Sequence, residues 1–317
     1  GGRPSLSGEA PATGRNDGYI DPAQITYKVV RMPEGLTVAE GIKGTAFTDR
    51  SKFEAQNVSY TVTPFIGARE GISATTGEEL FGSGSELPVT FGFDSKDAFN
   101  LCTVIDANTD RDDQYHWGAW YYGPDFPAAK AESGAVYGFS PEGPADDWLI
   151  LPPFTAQAGR SYRVTFRWHN SSDAETVAVT AGTDKTVAAQ TVTVSAAKSY
   201  NNHAGETTSY EFAAPAAGNC FVGFHITSKR KAGYFYVETV TVDEVPVTGA
   251  PAAATDFTVT PGEKGALSAT LSLKAPALTA EGATLNAITR IDIYRGNDRT
   301  AIHSFSEPLP GAGLSWT

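Results

Sequence analysis

The feature that most constrains this chain is a two-residue alternation of apolar and polar side chains, which recurs along most of its length. Because neighbouring side chains of a β-strand point to opposite faces of the sheet, this period is typical of strands with one buried face. The clearest alternating segments are residues 25–30, 58–62, 162–168, 176–179, 191–194 and 235–242. Turn-forming clusters separate them, and we find no convincing stretch with the 3.6-residue period of a helix. We therefore predict an all-β protein built from antiparallel sandwiches.

Length and charge limit the number of domains and the kinds of partner. The chain has 317 residues, with 36 acidic and 24 basic side chains and a net charge of −12. This length predicts two or three domains. Nucleic acid and anionic membranes are not expected as partners, because binding phosphates needs a basic face. No apolar run reaches the length of a membrane-spanning helix, so we expect no direct membrane insertion. The oligomeric state stays open.

An internal repeat at the two ends predicts how the chain divides. Residues 6–11 resemble residues 271–276, residues 25–27 resemble 288–290, and residues 47–48 resemble 316–317. Two related modules flanking a different one would produce this pattern. Gly, Ser, Ala and Pro collect near residues 76–85 and 247–254. We predict domains at residues 1–80, 81–248 and 249–317.

The two flanking segments resemble fibronectin type III modules, which are small antiparallel sandwiches. In the first copy, Tyr27 lies in an alternating segment, and residues 58–62 match the later strand that carries the buried tyrosine of that family. The first copy lacks about one initial strand, and the second stops before the tyrosine strand. Both flanking modules are therefore expected to be partial.

Three motifs in the central segment carry a second resemblance. TVID at residues 103–106 is followed by Trp117, then DWLILPP at 147–153 and YRVTF at 162–166. This succession resembles the cleaved-adhesin or choice-of-anchor J family, the haemagglutinin-type modules of gingipain-like bacterial surface proteins. The resemblance implies a jelly-roll sandwich on an exported protein, used in adhesion and often calcium-bound. The acidic loop at residues 108–113 lacks the glycines of that family.

The acidic loop is also a candidate calcium site on its own chemistry. Calcium prefers a flexible shell of several oxygen ligands. The oxygen-bearing side chains of this loop are Asp106, Asn108, Asp110, Asp112 and Asp113. Arg111 and Trp117 occupy the positions where a helix–loop–helix calcium site needs Gly and Glu, so that class is excluded. A second cation site is expected where the first and last strands of the module meet, at Asp94 or Asp97 near the start and at Asp243 or Glu244 near the end. For both sites, solvated acidic side chains remain the alternative.

Aromatic residues are concentrated directly after the acidic loop. Residues 115–126 contain six aromatic side chains in twelve positions. Rings with a polar tip stack on sugars or anchor partner proteins. The candidates for ligand binding are Tyr115, Trp120, Tyr121 and Tyr122. We expect Trp117 and Trp148 in the core, and core packing is the alternative for the rest of the cluster.

The sequence lacks the patterns of a catalytic centre. Its five histidines are scattered, and no phosphate loop or nucleophile elbow occurs. Asp146 and Asp147 are adjacent and would point to opposite faces of a strand. Cys102 and Cys220 are expected as two unpaired thiols, with one disulfide as the alternative.

These observations together predict a non-catalytic, extracellular adhesion or binding protein. Its central jelly roll would recognise a glycan or a host surface or matrix protein, with calcium as a stabilising ion. The alternatives are a structural spacer and a substrate-targeting accessory region of a larger secreted hydrolase. We expect a secreted or cell-surface location, although no export signal opens the sequence.

Overall fold

A computed structural model describes residues 3–14, 16–93, 96–109, 117–120, 134–138, 144–171, 173–229, 233–296 and 300–317. Within them, short 3-10 turns occur at Pro22–Gln24 and Val187–Ala189, and one helix, α1, spans Lys96–Asn100. The remaining elements are antiparallel strands, which confirms the predicted all-β class. No helix in the described ranges is long and apolar enough to cross a membrane. The backbone divides into two compact units, residues 1–245 and 246–317.

The first unit begins with a small region of two packed sheets. Its strands are β1 (Ser5–Ser7), β2 (Ile25–Met32), β3 (Leu36–Ile42), β4 (Ala46–Thr48), β5 (Gln56–Ile66), β6 (Arg69–Glu70), β7 (Ala74–Thr75) and β8 (Glu79–Phe81). β1 pairs with β4, and the second sheet has the order β3-β2-β5-β6, with β7 and β8 also paired to β5. Val29, Val58 and Tyr60 are buried between the sheets.

A buried ion pair crosses this small core. Arg31 Nη1 donates to Asp49 Oδ2 at 2.9 Å, and both side chains are almost completely buried. Tyr60 Oη donates to the same carboxylate oxygen at 2.9 Å. Ser51 donates to Oδ1 of Asp49 from its backbone N–H and its hydroxyl. Each charge therefore has the partners that a buried ion requires.

The rest of the first unit is a two-sheet sandwich. Its strands are β9 (Val89–Gly92), β10 (Thr103–Asp106), β11 (Trp117–Trp120), β12 (Gly134–Tyr137), β13 (Asp147–Ile150), β14 (Phe154–Ala156), β15 (Ser161–Ser171), β16 (Glu175–Gly182), β17 (Val192–Tyr200), β18 (Glu206–Ala213), β19 (Gly218–Ile226) and β20 (Tyr234–Glu244). The first sheet has the order β10-β13-β19-β16-β17, with β14 on β19. The second has the order β11-β12-β20-β15-β18, with β9 on β20. This is the predicted jelly-roll type of sandwich.

Alternate residues of both sheets fill the space between them. On β15 the inward residues from Tyr162 to Trp168 are buried, and the residues between them point outward. Trp117 is 1% exposed, with its ring edge-on to Phe235 at 6.3 Å. The core position predicted for Trp117 is therefore confirmed. Trp148 is also buried, but in a separate cluster with Ile150 and Phe221 on the outward face of the first sheet and not between the sheets.

The N-terminal region covers part of the outward face of the first sheet. Leu80 packs against Trp148, Ile150 and Phe221 on that face. The side chain of Asn219 donates to the Gly82 carbonyl and accepts from the Gly84 N–H, both at 2.9 Å. The two regions of the first unit are thus joined by apolar contacts and by directed hydrogen bonds.

The second unit contains five short strands. They are β21 (Thr255–Pro261), β22 (Ala269–Lys274), β23 (Arg290–Ile293), β24 (His303–Ser306) and β25 (Gly313–Trp316), in sheets β21-β22-β25 and β23-β24. Leu271 lies opposite Trp316 here, as Leu6 lies opposite Phe47 in the first unit. The repeated sequences therefore form equivalent strand pairs. The division at residues 80 and 248, and the fibronectin type III assignment, stay predictions.

Candidate functional site

Two stacked rings stand on the outward face of the second sheet. The alternation of β15 and β20 places His169 and Tyr236 on this face, and the register sets them directly opposite each other. Their rings are parallel within 6°, with centroids 4.2 Å apart. Tyr234, which is 40% exposed, follows on the same strand with its ring 6.3 Å from that of Tyr236. The sheet thus presents a row of rings with polar atoms.

The carboxylate of Glu238 contacts both Arg167 and the His169 ring. Glu238 Oε2 accepts from Arg167 Nε at 2.7 Å, and Oε1 lies 2.9 Å from His169 Nδ1. The Glu238 side chain is only 10% exposed, whereas that of Arg167 is 41% exposed. The buried carboxylate therefore fixes the orientation of two more accessible groups. We call Arg167, His169, Tyr236 and Glu238 the outer patch.

A β-bulge puts Glu238 in this position. Arg167 lies opposite Thr239, and Trp168 lies opposite Val237, so Glu238 is an extra residue in β20. Such a bulge re-aims a side chain relative to the regular pleat and is frequent next to binding sites. The inward series continues across it, since Val237 and Val240 are both fully buried.

Two glycines allow backbone segments to come close to the outer patch. Gly205 has φ +83°, and a Cβ there would lie 2.9 Å from Arg167 Nη2. A Cβ on Gly134 would lie 2.9 Å from the Val237 carbonyl oxygen, next to Glu238. Side chains at either position would crowd the residues that form the patch.

The ligand-binding residues predicted from the aromatic cluster lie largely outside the described residues. This holds for Tyr115, Tyr121 and Tyr122. For Trp120 the structure describes the backbone, which pairs with Gly134. The segment between these two residues therefore starts on the edge strand β11 of the second sheet and ends on β12. Its end at Gly134 lies beside the backbone of Glu238.

The predicted calcium ligands are described only in part. Asp106 Oδ1 accepts from the Thr109 N–H at 2.7 Å, and Asn108 Nδ2 donates to the Pro144 carbonyl at 2.8 Å. These bonds fix the start of the acidic loop. Asp110, Asp112, Asp113 and Asp94 lie outside the described residues. No group of three or more His, Cys, Asp or Glu side chains with metal-holding geometry occurs within the described ranges.

The first and last strands of the central sandwich do run side by side. β9 pairs with β20 from Gly92 opposite Thr239 to Val89 opposite Val242. Asp243 therefore lies at the opposite end of this strand pair from Gly92. The expectation that it shares a cation with Asp94 stays a prediction.

A second histidine forms a similar arrangement on the outward face of the first sheet. His225 Nε2 lies 2.7 Å from Asp146 Oδ1, and its ring stacks on Trp148 at 3.8 Å. Asp147, the next residue along the strand, is fully buried, so the two neighbouring acids face opposite ways as predicted. In the described residues, neither His225 nor His169 has a hydrogen bond with a Ser, Thr or Cys side chain, as a nucleophile and its base require.

The two cysteines are unpaired, as expected. Cys220 is buried on β19, and burial raises the pKa of its thiol to about 12. A thiol that resists ionisation is a poor nucleophile. It has a packing role in the core of the sandwich.

A cavity of about 330 Å³ lies between the sheets of the N-terminal region. Its walls are formed mainly by apolar strand residues, among them Leu6, Val29, Phe47 and Val62. Its lining also includes Glu9, Thr75 and Tyr27, whose buried hydroxyl has no hydrogen-bond partner within the described residues. We place the candidate site at the outer patch, where aromatic, cationic and acidic groups meet.

The sequence pattern does not mark Arg167, His169, Tyr236 or Glu238 as site residues. Both strands were identified, and their alternation already places Arg167 and His169 outward. These side chains meet Tyr236 and Glu238 because β15 and β20, which are far apart in sequence, pair in one register that includes a bulge. A single sequence carries no signal for that register.

The fold and the outer patch define a two-sheet antiparallel sandwich that presents an exposed aromatic and charged surface on one sheet. No family model matches the chain, and no curated protein does. Solved structures with a likeness to it include the K1 cleaved-adhesin domain of Lys-gingipain from Porphyromonas gingivalis, at 16% identity and TM-score 0.37, covering 49% of this chain and 96% of that domain. A domain of the family that the three sequence motifs resemble is thus among the structural likenesses.

Carbohydrate-binding modules also appear among these likenesses. A family 35 module from Clostridium thermocellum has 11% identity and TM-score 0.31, covering 49% of this chain and 96% of that one. A xylan-binding domain from Paenibacillus barcinonensis has 9% identity and TM-score 0.36, covering 52% and 98%. At TM-scores below 0.5 we draw no conclusion on function from any of them.

Proposed function

We propose that the central sandwich is a non-catalytic binding module of an exported adhesion protein and that it binds a glycan through the outer patch. The observation that carries the proposal is the His169–Tyr236 stack beside the Arg167–Glu238 ion pair on the outward face of the second sheet. Sugars combine apolar ring faces with many hydroxyls, so they favour aromatic rings flanked by fixed planar hydrogen-bonding groups.

The location of the patch also favours ligand access. The outward face of the first sheet is covered by Leu80 around Trp148 and Phe221. On the second sheet, Arg163, Arg167 and Glu211 are 41–52% exposed along their side chains. A ligand can therefore lie along the second sheet without displacing any part of the described chain.

We propose calcium as a stabilising ion at the loop that begins at Asp106. Support comes from the fixed start of that loop, where Asp106 and Asn108 are tied to the backbone at Thr109 and Pro144. The acids that follow in sequence supply the further oxygen ligands that calcium needs. An ion there would hold the loop that leads into β11.

Binding of the purified chain to a glycan array and to a panel of matrix proteins tests the proposal. Tyr236→Ala and His169→Ala should each weaken glycan binding about tenfold or more, because aromatic and planar anchors carry most of the energy of such sites. Tyr19→Ala removes an exposed aromatic side chain elsewhere and is the matched control. A second pair, Tyr121→Ala and Tyr122→Ala, separates the aromatic loop from the sheet face.

Two results would contradict this function. Glycan binding that is unchanged in Tyr236→Ala and His169→Ala would move the site away from the outer patch. Binding to a matrix protein alone would replace the glycan with a host protein as partner. A chain that binds nothing in either panel would favour the spacer or accessory role, which the close joint at Asn219 between two regions of the first unit supports.

A further inference from the structure

We propose that the outer patch takes an acidic sugar and that it recognises the carboxylate of a uronic acid residue through Arg167. This inference rests on the proposed glycan-binding function and narrows it to one ligand class. It follows from which polar atoms of the patch are already engaged and which are left to meet a ligand.

Glu238 uses one nitrogen from each of its two partners. Arg167 donates its Nε, and His169 turns its Nδ1 toward the carboxylate. In the described part of the chain, Arg167 Nη1 and Nη2 and His169 Nε2 have no hydrogen-bond partner. The unused edge of a guanidinium is a planar pair of donors that matches the two oxygens of a carboxylate.

The neighbouring imidazole complements that edge. With Nδ1 beside a carboxylate, the proton of a neutral ring belongs on Nδ1, and Nε2 is left to accept a hydrogen bond from a hydroxyl. A uronic acid carries a carboxylate and hydroxyls on one ring. The His169 ring is stacked on Tyr236, which fixes the plane of the imidazole. One sugar can thus offer its carboxylate to Arg167 and a hydroxyl to His169.

The patch is built rather than incidental. Its buried carboxylate is placed by a bulge that adds one residue to β20. Gly205, in a backbone conformation that favours glycine, keeps side-chain atoms away from Arg167 Nη2. Both features act on the free edge of Arg167, the first by fixing its direction and the second by leaving room beside it.

Directed hydrogen bonds, and not net charge, must supply the selectivity. Arg167 and Glu238 neutralise each other, and the whole chain carries −12. A polyanion therefore gains no general attraction to this protein. Binding of an acidic polymer would depend on the geometry of the patch.

The test compares polygalacturonate with the same polymer after full methyl esterification, which removes the charge and keeps the sugar. Binding of the full chain is measured by affinity electrophoresis and biolayer interferometry, with polyglutamate as a polyanion that has no sugar ring. Alginate and hyaluronan extend the uronate set. The variants are Arg167→Gln, Arg167→Lys and Arg163→Gln. Arg163 is the matched control, since it lies on the same face of β15 and pairs with exposed Glu211 at 2.7 Å.

We expect the wild-type chain to bind at least one uronate polymer and to lose about tenfold or more of its affinity when the polymer is esterified. Arg167→Gln should lose a similar factor and become indifferent to esterification. Arg167→Lys should recover only part of the affinity, because an ammonium lacks the paired donors. Arg163→Gln should bind as wild type. Near-ultraviolet circular dichroism shows whether each variant keeps the native fold.

Equal binding of the acid and its ester, or binding of neutral glycans alone, would overturn the uronate assignment while leaving the glycan-binding function intact. Equal binding of polyglutamate would reassign the patch to acidic peptides. An equal loss in Arg163→Gln would show a general charge effect. A chain that binds no glycan at all would overturn both this inference and the function on which it rests.

Discussion

A buried carboxyl at the edge of the central core makes the stability of this protein depend on pH in an unusual direction. Glu175, the first residue of β16, is fully buried. Its Oε2 accepts a hydrogen bond from the Ser228 hydroxyl. Burial raises the pKa of Glu175 from 4.5 to about 7, against the opposing effects of the hydrogen bonds from Ser228 and from the Gly233 backbone. We predict that Glu175→Gln stabilises the chain in mildly alkaline solution.

The size of the effect follows from the two pKa values. An unfolded chain releases this proton near pH 4.5, whereas the folded chain keeps it until about pH 7. The contribution of Glu175 is therefore fully favourable below pH 4.5 and is lost as pH rises through about 7. The complete loss amounts to about 3 kcal/mol. Glutamine has the same shape and never ionises, so the variant avoids this loss.

Urea unfolding at about pH 5 and about pH 8.5 measures the prediction. The fluorescence of the four tryptophans of the central sandwich reports its unfolding in a Trp316→Phe background, which removes the tryptophan of the second unit. We expect Glu175→Gln to unfold at the same urea concentration as its parent at the lower pH. At the higher pH its midpoint should be about 1 M higher.

An exposed acid provides the control for the general effect of removing a negative charge. Glu86→Gln changes an exposed side chain and should shift neither midpoint. If Glu175→Gln is less stable than its parent at both pH values, the carboxylate is ionised and bound in the folded chain. That result would refute the reasoning from burial and would point to a cation at this end of the sandwich.

Two further predictions concern the N-terminal region and the acidic loop. Burial alone would raise the pKa of Asp49, but hydrogen bonds from Ser51, Tyr60 and Arg31 hold this pKa below its usual range. Asp49→Asn should lower the free energy of unfolding, measured with urea near neutral pH, by about 3–5 kcal/mol. Because a lowered pKa gives stability that is lost on acidification, this difference should shrink as pH falls below about 4. An unchanged midpoint would show that the ion pair adds nothing. Removing calcium with EDTA should lower the melting temperature by about 5 °C. In Asp110→Asn, the melting temperatures with and without EDTA should be equal. A wild-type melting temperature that changes neither with EDTA nor with added calcium would refute the calcium proposal.

The sequence predicted the strands well because their alternation has a direct physical cause. β15 and β20 each span eleven residues, and a long strand with one buried face repeats its pattern often enough to be recognised. Trp117 was placed in the core from its position in a motif. Helix α1 was not predicted, since a five-residue helix is too short to display a 3.6-residue period.

The candidate site was much harder to predict than the strands. His169 and Tyr236 are 67 residues apart in sequence and meet only because two strands pair in one register. A shift of that register by one residue would turn one of the rings into the core. Thr239 lies opposite Arg167, so strict alternation along β20 would place its neighbour Glu238 on the other face of the sheet. The sequence does not reveal the bulge that puts Glu238 on the same face as Arg167.

The sequence-derived aromatic segment begins on the edge strand β11 and ends on β12, which pairs with strand β20 of the outer patch. Trp120 and Gly134, the described ends of the aromatic segment, pair with each other, and Gly134 contacts the backbone at Val237 and Glu238. An extended ligand that lies across His169 and Tyr236 along this sheet reaches the same edge. On the first sheet, Leu80 packs on the outward face against Trp148, beside the similar His225–Asp146 pair. If the ligand is a glycan, we therefore expect a chain of several sugars, which can extend from the patch across β20 toward β12, to bind more tightly than a single sugar.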